Sequence, residues 1–219
     1  TYDPIESFAP ISLTSTDAYL FVVGPLLPVN GIQEYLAYAK ANPNKVSFGA
    51  AGAGSFTHLM AALLHFNTNT KVTYIQYKGG APTIADLVAG RIHISVHTIQ
   101  LARPFIESGK AKAIGIASAE RNPVMPDVRT VAEQGVPGYD VQQWRGFVAP
   151  AKTPAAIVNR LNRELVTIAK SAEMAPILGK MGRRPVGSTP EQFKAFLVRE
   201  LAQWKKLLTE GDLDLGTED

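Results

Sequence analysis

The chain has 219 residues, of which 46% are apolar and 19% are charged, and its formal net charge is +3. Such a composition is typical of a globular protein with one large domain or two lobes of about 100 residues each. So small a net charge gives no reason to expect nucleic-acid binding. The absence of cysteine excludes disulfides, thiolate chemistry and cysteine-ligated metals. Because no apolar run reaches about 18 residues, no transmembrane helix is predicted.

Residues 19–117 alternate between short apolar runs and amphipathic segments, which predicts strands followed by helices. Three consecutive strand-to-helix units indicate a parallel sheet with helices on its faces. Ligands of such sheets bind outside the carboxyl ends of the strands, where two glycine turns and Thr98 lie. The predicted strands are 19–23, 46–48, 72–76, 92–96 and 113–117, and the helices begin near Ile32, at Ser55, after Pro82 and after Thr98.

The last third of the chain predicts a strand over 143–150 and two long helices. Thr153 before Pro154 and Thr189 before Pro190 mark the helix starts, and the second start is a capping box. The final residues, Gly211–Asp219, are expected to fray. The last helix carries an apolar stripe that we predict to be core, formed by Phe193, Phe196, Leu197, Leu201, Trp204 and Leu208.

Residues 46–59, VSFGAAGAGSFTHL, predict a strand, a glycine loop and the start of a helix, an arrangement whose backbone N–H groups bind anions. The loop fails as a phosphate loop and as a dinucleotide fingerprint, since Ser55-Phe56 and Thr57 occupy the decisive positions. A plain tight turn is the alternative. Because no acidic residue lies between Glu34 and Asp86, the charge pattern favours an anionic ligand.

Other chemistry is weakly indicated. His93 and His97 share one face of a strand but match no metal-ligand spacing. Ser55 could approach His58, yet no acid lies nearby to orient the imidazole. The basic residues are dispersed without interleaved aromatics, which argues against a nucleic-acid surface. Arg145 is either a solvated residue at a strand edge or a clamp for a carboxylate.

Six motifs, taken in order, resemble the extracytoplasmic solute receptors of tripartite tricarboxylate transporters, often called Bug receptors. The resemblance covers essentially the whole chain. Each motif alone is common, whereas six in sequence are specific. They are Tyr2-Asp3-Pro4 with Phe8-Ala9-Pro10, residues 49–59, Tyr77-Lys78-Gly79-Gly80-Ala81-Pro82, residues 126–135, residues 144–150 and Thr189-Pro190-Glu191.

The resemblance implies an α/β type II periplasmic-binding-protein fold, in which two lobes close over a ligand about crossovers near residues 12–16 and 113–117. Residues 22–112 would form lobe 2, with its ligand loop at 49–58. Residues 1–21 and 113–219 would form the crossovers and part of lobe 1. Family members carry further residues before the Tyr-Asp-Pro motif, and the chain begins at Thr1 without methionine. We therefore expect a cleaved or partial chain whose incomplete lobe 1 has an exposed apolar face or associates with another chain.

The resemblance also implies the ligand contacts. Many family members carry Asp at the position of His97 and an aromatic or small residue at that of Arg145. The basic-type residues here lead to the hypothesis of a ligand with more negative charge or without an ammonium group. The implied ligand-binding residues are Ala51, Gly52, Ala53, Gly54, Ser55, His58, His97, Thr98, Trp144 and Arg145.

The resulting expectation is a non-enzymatic periplasmic receptor, without cofactor or metal, that passes a small carboxylate to a membrane transporter. The carboxylate would be a di- or tricarboxylate, an acidic amino acid or an aromatic acid. Two alternatives remain open: the effector-sensing domain of a transcription regulator, and an anion-dependent enzyme that uses Ser55 and His58.

Overall fold

A computed structural model describes residues 2–211 of the chain. None of the helices within these residues combines the length and apolar character needed to cross a membrane. In chain order, the elements are β1 (Phe8–Asp17), β2 (Tyr19–Val23), α1 (Ile32–Ala41), β3 (Ser47–Ala50), α2 (Phe56–Thr68), β4 (Thr73–Gln76), α3 (Gly80–Val88), β5 (Ile94–Thr98), α4 (Ile99–Glu107), β6 (Lys112–Ile116), a 3-10 turn (Ala132–Gln134), β7 (Gln143–Pro150), α5 (Ala155–Ala169), α6 (Met174–Lys180), β8 (Arg183–Pro185) and α7 (Pro190–Glu210).

The chain forms two compact units. The central unit comprises residues 18–142, and the terminal unit combines the residues up to Asp17 with Gln143–Glu210. These boundaries differ from the predicted ones, which assigned residues 113–142 to the crossover and lobe 1. In the structure β6 pairs with β2, and the Val141 N–H donates to the Ala117 carbonyl over 2.8 Å, so this segment packs within the central unit.

The central sheet has the strand order β4-β3-β5-β2-β6. β3 runs parallel to β4 and β5, as predicted. β2 is antiparallel to both of its neighbours, so the sheet is mixed and not parallel throughout. All five residues of β2 are buried. An unbroken apolar run predicts that a strand is covered on both faces, but it does not predict whether the strand is parallel or antiparallel to its neighbours.

Two buried polar side chains tie the segment after β6 to helices of the central unit. Gly31 precedes α1 and has no side chain to cap it. The buried Gln134 replaces that cap: its Oε1 accepts the Ile32 N–H over 2.9 Å, and its Nε2 donates to the Ile114 carbonyl over 2.9 Å. Tyr139, also buried, donates its hydroxyl to the Met60 carbonyl over 2.7 Å. The turn-rich segment after β6 is thereby tied to α1 and α2.

The terminal unit is an antiparallel sheet of order β7-β1-β8, against which α5 and α7 pack. The capping box at Thr189 is confirmed, since its N–H and Oγ1 bond the Gln192 side chain and N–H over 3.0 and 3.2 Å. Thr153 does not cap α5, because the residue at the N-cap is Pro154. α6 and β8 were not predicted: α6 is short and has no buried residue, and β8 has three residues.

Large exposed apolar side chains are concentrated on the terminal unit. The predicted stripe of α7 is core at Phe193, which is fully buried, but Leu201 and Leu208 are about half exposed, at 46% and 47%. The unit therefore exposes large apolar side chains on its helices and on β7. Its most exposed members on the helices and β7 are Phe147, Val148, Ile157, Leu161, Ile168, Ile177, Val198, Leu201 and Leu208.

A substitution at Gly146 tests how tightly the terminal unit is packed. A Cβ at this position would lie 2.3 Å from Phe193 Cζ and 3.0 Å from the Ser12 carbonyl oxygen. We expect Gly146→Ala to lower the free energy of unfolding by about 1–3 kcal/mol, because a buried ring and a strand must both move. The measurement is urea unfolding followed by circular dichroism.

Gly179→Ala in α6 is the matched control. A Cβ there meets no atom within 4 Å, so we expect stability to be unchanged or raised by up to about 1 kcal/mol. Equal urea midpoints for Gly146→Ala and the wild type would contradict the packing derived for Phe193.

Candidate anion-binding site

Three helices begin at the same edge of the central sheet. Since β3, β4 and β5 are parallel, α2, α3 and α4 all start at the carboxyl edge that these strands share. None of the three helices carries an acidic residue in its first turn. The partial positive charge of each helix N-terminus is therefore not offset by a local carboxylate.

The glycine loop between β3 and α2 is fixed by its own hydrogen bonds. Gly52 and Gly54 have φ values of 119° and 65°, which a residue with a side chain rarely adopts. The Ser55 N–H donates to the Gly52 carbonyl over 3.1 Å, and Ser55 Oγ accepts the His58 N–H over 3.3 Å. Ser55 is thus the N-cap of α2, as the sequence predicted.

His58 supports this loop from within the protein. Its side chain is buried, and its Nδ1 accepts the Gly54 N–H over 3.1 Å. The imidazole packs edge-on against the Tyr74 ring, with 4.6 Å between ring centroids. His58 therefore acts much like the Glu of a capping box, whose side chain reaches back to an amide before the helix.

The loop amides divide into those that donate within the loop and those that do not. The amides of Gly54 and Ser55 donate within it, and so does the amide of Ala51, which donates to Thr57 Oγ1 over 3.3 Å. Within residues 2–211, the amides of Gly52, Ala53 and Thr57 donate to no protein acceptor. These three donors at the start of α2 are the ones that the loop can offer to an anion.

At the end of β5 lie His97 and Thr98. Thr98 Oγ1 accepts the Leu101 N–H over 3.3 Å and caps α4. His97 is 2% exposed, and its Nε2 lies 2.7 Å from Ser95 Oγ. Burial lowers the pKa of His97 to about 4, so the imidazole is neutral at neutral pH.

The three loops adjoin one another. The Tyr77 N–H, at the end of β4, donates to the Ala50 carbonyl over 2.8 Å. A Cβ at Gly52 would lie 3.9 Å from the Tyr77 carbonyl oxygen, and one at Gly80 would lie 3.7 Å from His97 Nδ1. The structure therefore gathers at one edge eight of the predicted ligand-binding residues, namely Ala51, Gly52, Ala53, Gly54, Ser55, His58, His97 and Thr98.

Arg145 belongs to the terminal unit and has a partner within it. Its guanidinium pairs with the carboxylate of Asp17, whose side chain is only 7% exposed. Arg183 donates from Nε to the same carboxylate over 2.7 Å. The sequence left open whether Arg145 clamps a carboxylate, and the carboxylate that it contacts is Asp17.

Trp144, next to Arg145, is also held within the terminal unit. Its indole N–H donates to a Glu200 carboxylate oxygen over 3.2 Å, and its ring packs edge-on against Phe193 and Phe196. His97 is neutral, whereas Arg145 and Arg183 share the single carboxylate of Asp17, so this cluster keeps one positive charge. His97 therefore gives no electrostatic support to the hypothesis of a more highly charged ligand.

The remaining histidines are structural. His93 Nδ1 lies 2.7 Å from Ser47 Oγ. His65 is buried and bridges the hydroxyl groups of Tyr35 and Tyr74 over 2.6 Å each. Burial, with a smaller effect of His58, lowers the pKa of His65 to about 3. Among residues 2–211, no cluster of three potential metal ligands occurs.

Sequence reasoning missed Asp17 and Ser95. Asp17 lies 128 residues from Arg145, and no local pattern predicts such a pair. Ser95 could have been found, since residues two apart on a strand share a face and His97 follows it at that spacing.

Residues 1–213 match the profile of a protein family described as "Tripartite tricarboxylate transporter family receptor". The chain belongs to this receptor family. Two receptor-family relatives are similar over 95% of the chain. A UPF0065 protein encoded between tcbD and tcbE of Pseudomonas sp. (strain P51) is 33% identical, and Protein BugT of Bordetella pertussis (strain Tohama I) is 29% identical. The chain spans only 62% and 64% of these two proteins.

Solved structures confirm the predicted α/β periplasmic-binding-protein fold. Rpa4515 of R. palustris, solved with adipate, is 31% identical with a TM-score of 0.79, over 95% of this chain and 70% of that one. A TctC solute-binding protein from Polaromonas is 27% identical with a TM-score of 0.84, over 96% and 72%. MatC of Rhodopseudomonas palustris, with bound malate, is 28% identical with a TM-score of 0.75, over 94% and 71%.

Two of the buried histidines, His65 and His97, predict how the stability of this receptor-family chain depends on pH. In the unfolded state a histidine binds its proton near its ordinary pKa of 6.5, whereas folded His65 and His97 bind theirs only near pKa values of about 3 and about 4. The contribution of these two histidines to the free energy of unfolding is therefore fully present above pH 6.5 and decreases on acidification. Between pH 6.5 and 5, we expect a loss of up to about 1.4 kcal/mol per pH unit for each histidine.

Urea unfolding at several pH values measures this slope. His65→Phe should be less stable at pH 7, because Tyr35 and Tyr74 lose their partner, but its stability should depend less on pH. A variant with the wild-type slope would show that the protonation of His65 does not contribute.

Proposed function

We propose that the chain is the ligand-binding part of a non-enzymatic periplasmic receptor that delivers a small carboxylate to the membrane components of a tripartite transporter. The observation that carries this proposal is the meeting of three acid-free helix N-termini beside the free amides of the glycine loop. Oriented backbone N–H groups bind an anion without a charged side chain. This suits a carboxylate that must be released again.

Membership of the receptor family supports the receptor role. Adipate and malate, the compounds bound in two of the similar structures, are both dicarboxylates. A small aliphatic dicarboxylate is therefore the ligand class that we propose for this chain.

The proposed contacts narrow the residues implied by the resemblance. Gly52 and Ala53 would donate their amides to one carboxylate group, and Ser55 would add its hydroxyl. Ala51 and Gly54 would shape the loop, since their amides are used internally. Thr98 lies at the start of α4, where the third helix N-terminus adds to the favourable potential.

His58 favours a receptor over the enzyme alternative. Its Nδ1 accepts the Gly54 N–H, so this nitrogen cannot also take a proton from Ser55. A serine nucleophile requires a base with a free nitrogen at the hydroxyl group. The proposed role of His58 is to support the loop.

A carboxylate introduced into the first turn of α2 tests the proposal. Thr57→Glu places a negative charge beside the free amides, where it favours the helix but repels a bound anion. Thr57→Gln is the matched control, because it also removes Oγ1 from the Ala51 amide but adds no charge. We expect Thr57→Glu to bind carboxylates about tenfold or more weakly than Thr57→Gln.

Isothermal titration with adipate, malate, citrate, glutamate and benzoate measures these affinities, and NMR of the recovered ligand checks for turnover. Equal affinities of the two variants would exclude the loop as the anion site. Conversion of the ligand would contradict the non-enzymatic role.

Arg145→Ala separates stability from binding. Because Arg145 pairs with Asp17, we expect the affinity for dicarboxylates to change less than about twofold. The terminal unit should lose no more than about 1 kcal/mol, since the pair is partly exposed and Arg183 remains. A large loss of affinity in titration, with unchanged stability, would instead make Arg145 a direct ligand contact.

A further inference from the structure

A second group of unused donors lies at the start of α3, apart from the glycine loop. α3 begins at Gly80 after Gly79, has nine residues and carries no acid in its first turn. Within residues 2–211, the amides of Gly80 and Ala81 donate to no protein acceptor. A helix end alone does not make a binding site, but a buried side chain points to this one.

That side chain is His97. Its imidazole is 2% exposed and uses Nε2 for Ser95 Oγ, whereas Nδ1 has no hydrogen-bond partner within residues 2–211. Nδ1 lies 3.7 Å from the Cβ position of Gly80, so it faces the first turn of α3. Among the described residues, Gln203 Nε2 is the only fully enclosed side-chain nitrogen or oxygen without a partner. His97 Nδ1 also has no partner but is not fully enclosed, so a ligand atom can contact it.

We propose that His97 Nδ1 and the first-turn amides of α3 bind the second carboxylate group of a dicarboxylate, with Ser95 as the positioning residue that sets the tautomer of His97. This inference rests on the proposed receptor function, in which the glycine loop binds the first carboxylate. If so, the residues at the carboxyl end of β5 distinguish a dicarboxylate from a monocarboxylate.

The tautomer follows from hydrogen-bond chemistry. A carboxylate accepts hydrogen bonds only, so Nδ1 must carry the proton when the ligand is bound. Nε2 is then an acceptor, and the Ser95 hydroxyl must donate to it across the observed 2.7 Å. Ser95 is fully buried, so its hydroxyl cannot turn to bulk water instead. Since the imidazole stays neutral, the site gains a donor without a second buried charge.

Pairs of acids of equal length test the inference: succinate with butyrate, and adipate with hexanoate. The wild type should prefer the diacid of at least one pair. His97→Leu should weaken binding of that diacid by about tenfold to a hundredfold, the range for a lost hydrogen bond to a charged group, and leave binding of the monoacid unchanged. His97→Asn, whose amide can donate from near the position of Nδ1, should restore most of the preference.

The imidazole nitrogens give a readout that a purely structural role would not change. The chain has four histidines, so their side-chain ¹⁵N signals can be assigned. Saturation with the preferred diacid should place the proton of His97 on Nδ1, and Ser95→Ala should weaken this shift together with the affinity.

The outcomes separate the two proposals. If the wild type binds neither these four acids nor the five carboxylates titrated above, the receptor proposal fails and this inference fails with it. If the wild type binds the acids but prefers the diacid of neither pair, only the inference is overturned. If the wild type binds diacids but His97→Leu keeps the preference, or if the bound imidazole keeps its proton on Nε2, only the inference is overturned.

Discussion

The hydrogen bond from the Gly54 N–H to His58 Nδ1 is the constraint on which the candidate site depends. It removes one amide from the surface and holds the glycine turn against α2. The imidazole rests on Tyr74, whose hydroxyl bonds His65, and His65 bonds Tyr35 of α1. A continuous series of buried polar rings thus connects the loop to the core. Such a network is stable only when every member has a partner, so the loop geometry is coupled to the packing of the whole central unit.

In the proposed site, most of the ligand contacts would come from backbone N–H groups and not from charged side chains. Arg91, Arg103 and Arg145 each pair with a nearby carboxylate. His65 and His97 stay neutral because burial disfavours their charged forms. What remains at the sheet edge is a set of N–H donors with the partial charges of three helix ends. This set attracts an anion at a smaller desolvation cost than a buried ion pair would have.

Features governed by neighbouring residues could be predicted from the sequence. Ser55, Thr98 and Thr189 are helix caps because each is a short hydroxyl residue before an amphipathic run. The parallel strands β3 to β5 follow from their alternation with helices. Features governed by distant pairing could not be predicted: the direction of β2, the contact of Arg145 with Asp17, and β8. At Thr153 the local rule itself failed, since the chain extends one residue further and leaves Pro154 at the N-cap.

In the inferred site, His97 would change ligand choice through the direction of a hydrogen bond as well as through charge, because the imidazole is neutral where an Asp carboxylate would be negative. The family resemblance places Asp here in many members, and a carboxylate only accepts hydrogen bonds, so it suits a ligand with an ammonium group. A neutral imidazole, in contrast, can donate from Nδ1 when Ser95 donates to Nε2. It would then favour a ligand oxygen and leave an ammonium group without an acceptor. In that case the direction of one hydrogen bond, set by a buried serine two residues away on β5, would decide between a ligand oxygen and an ammonium group.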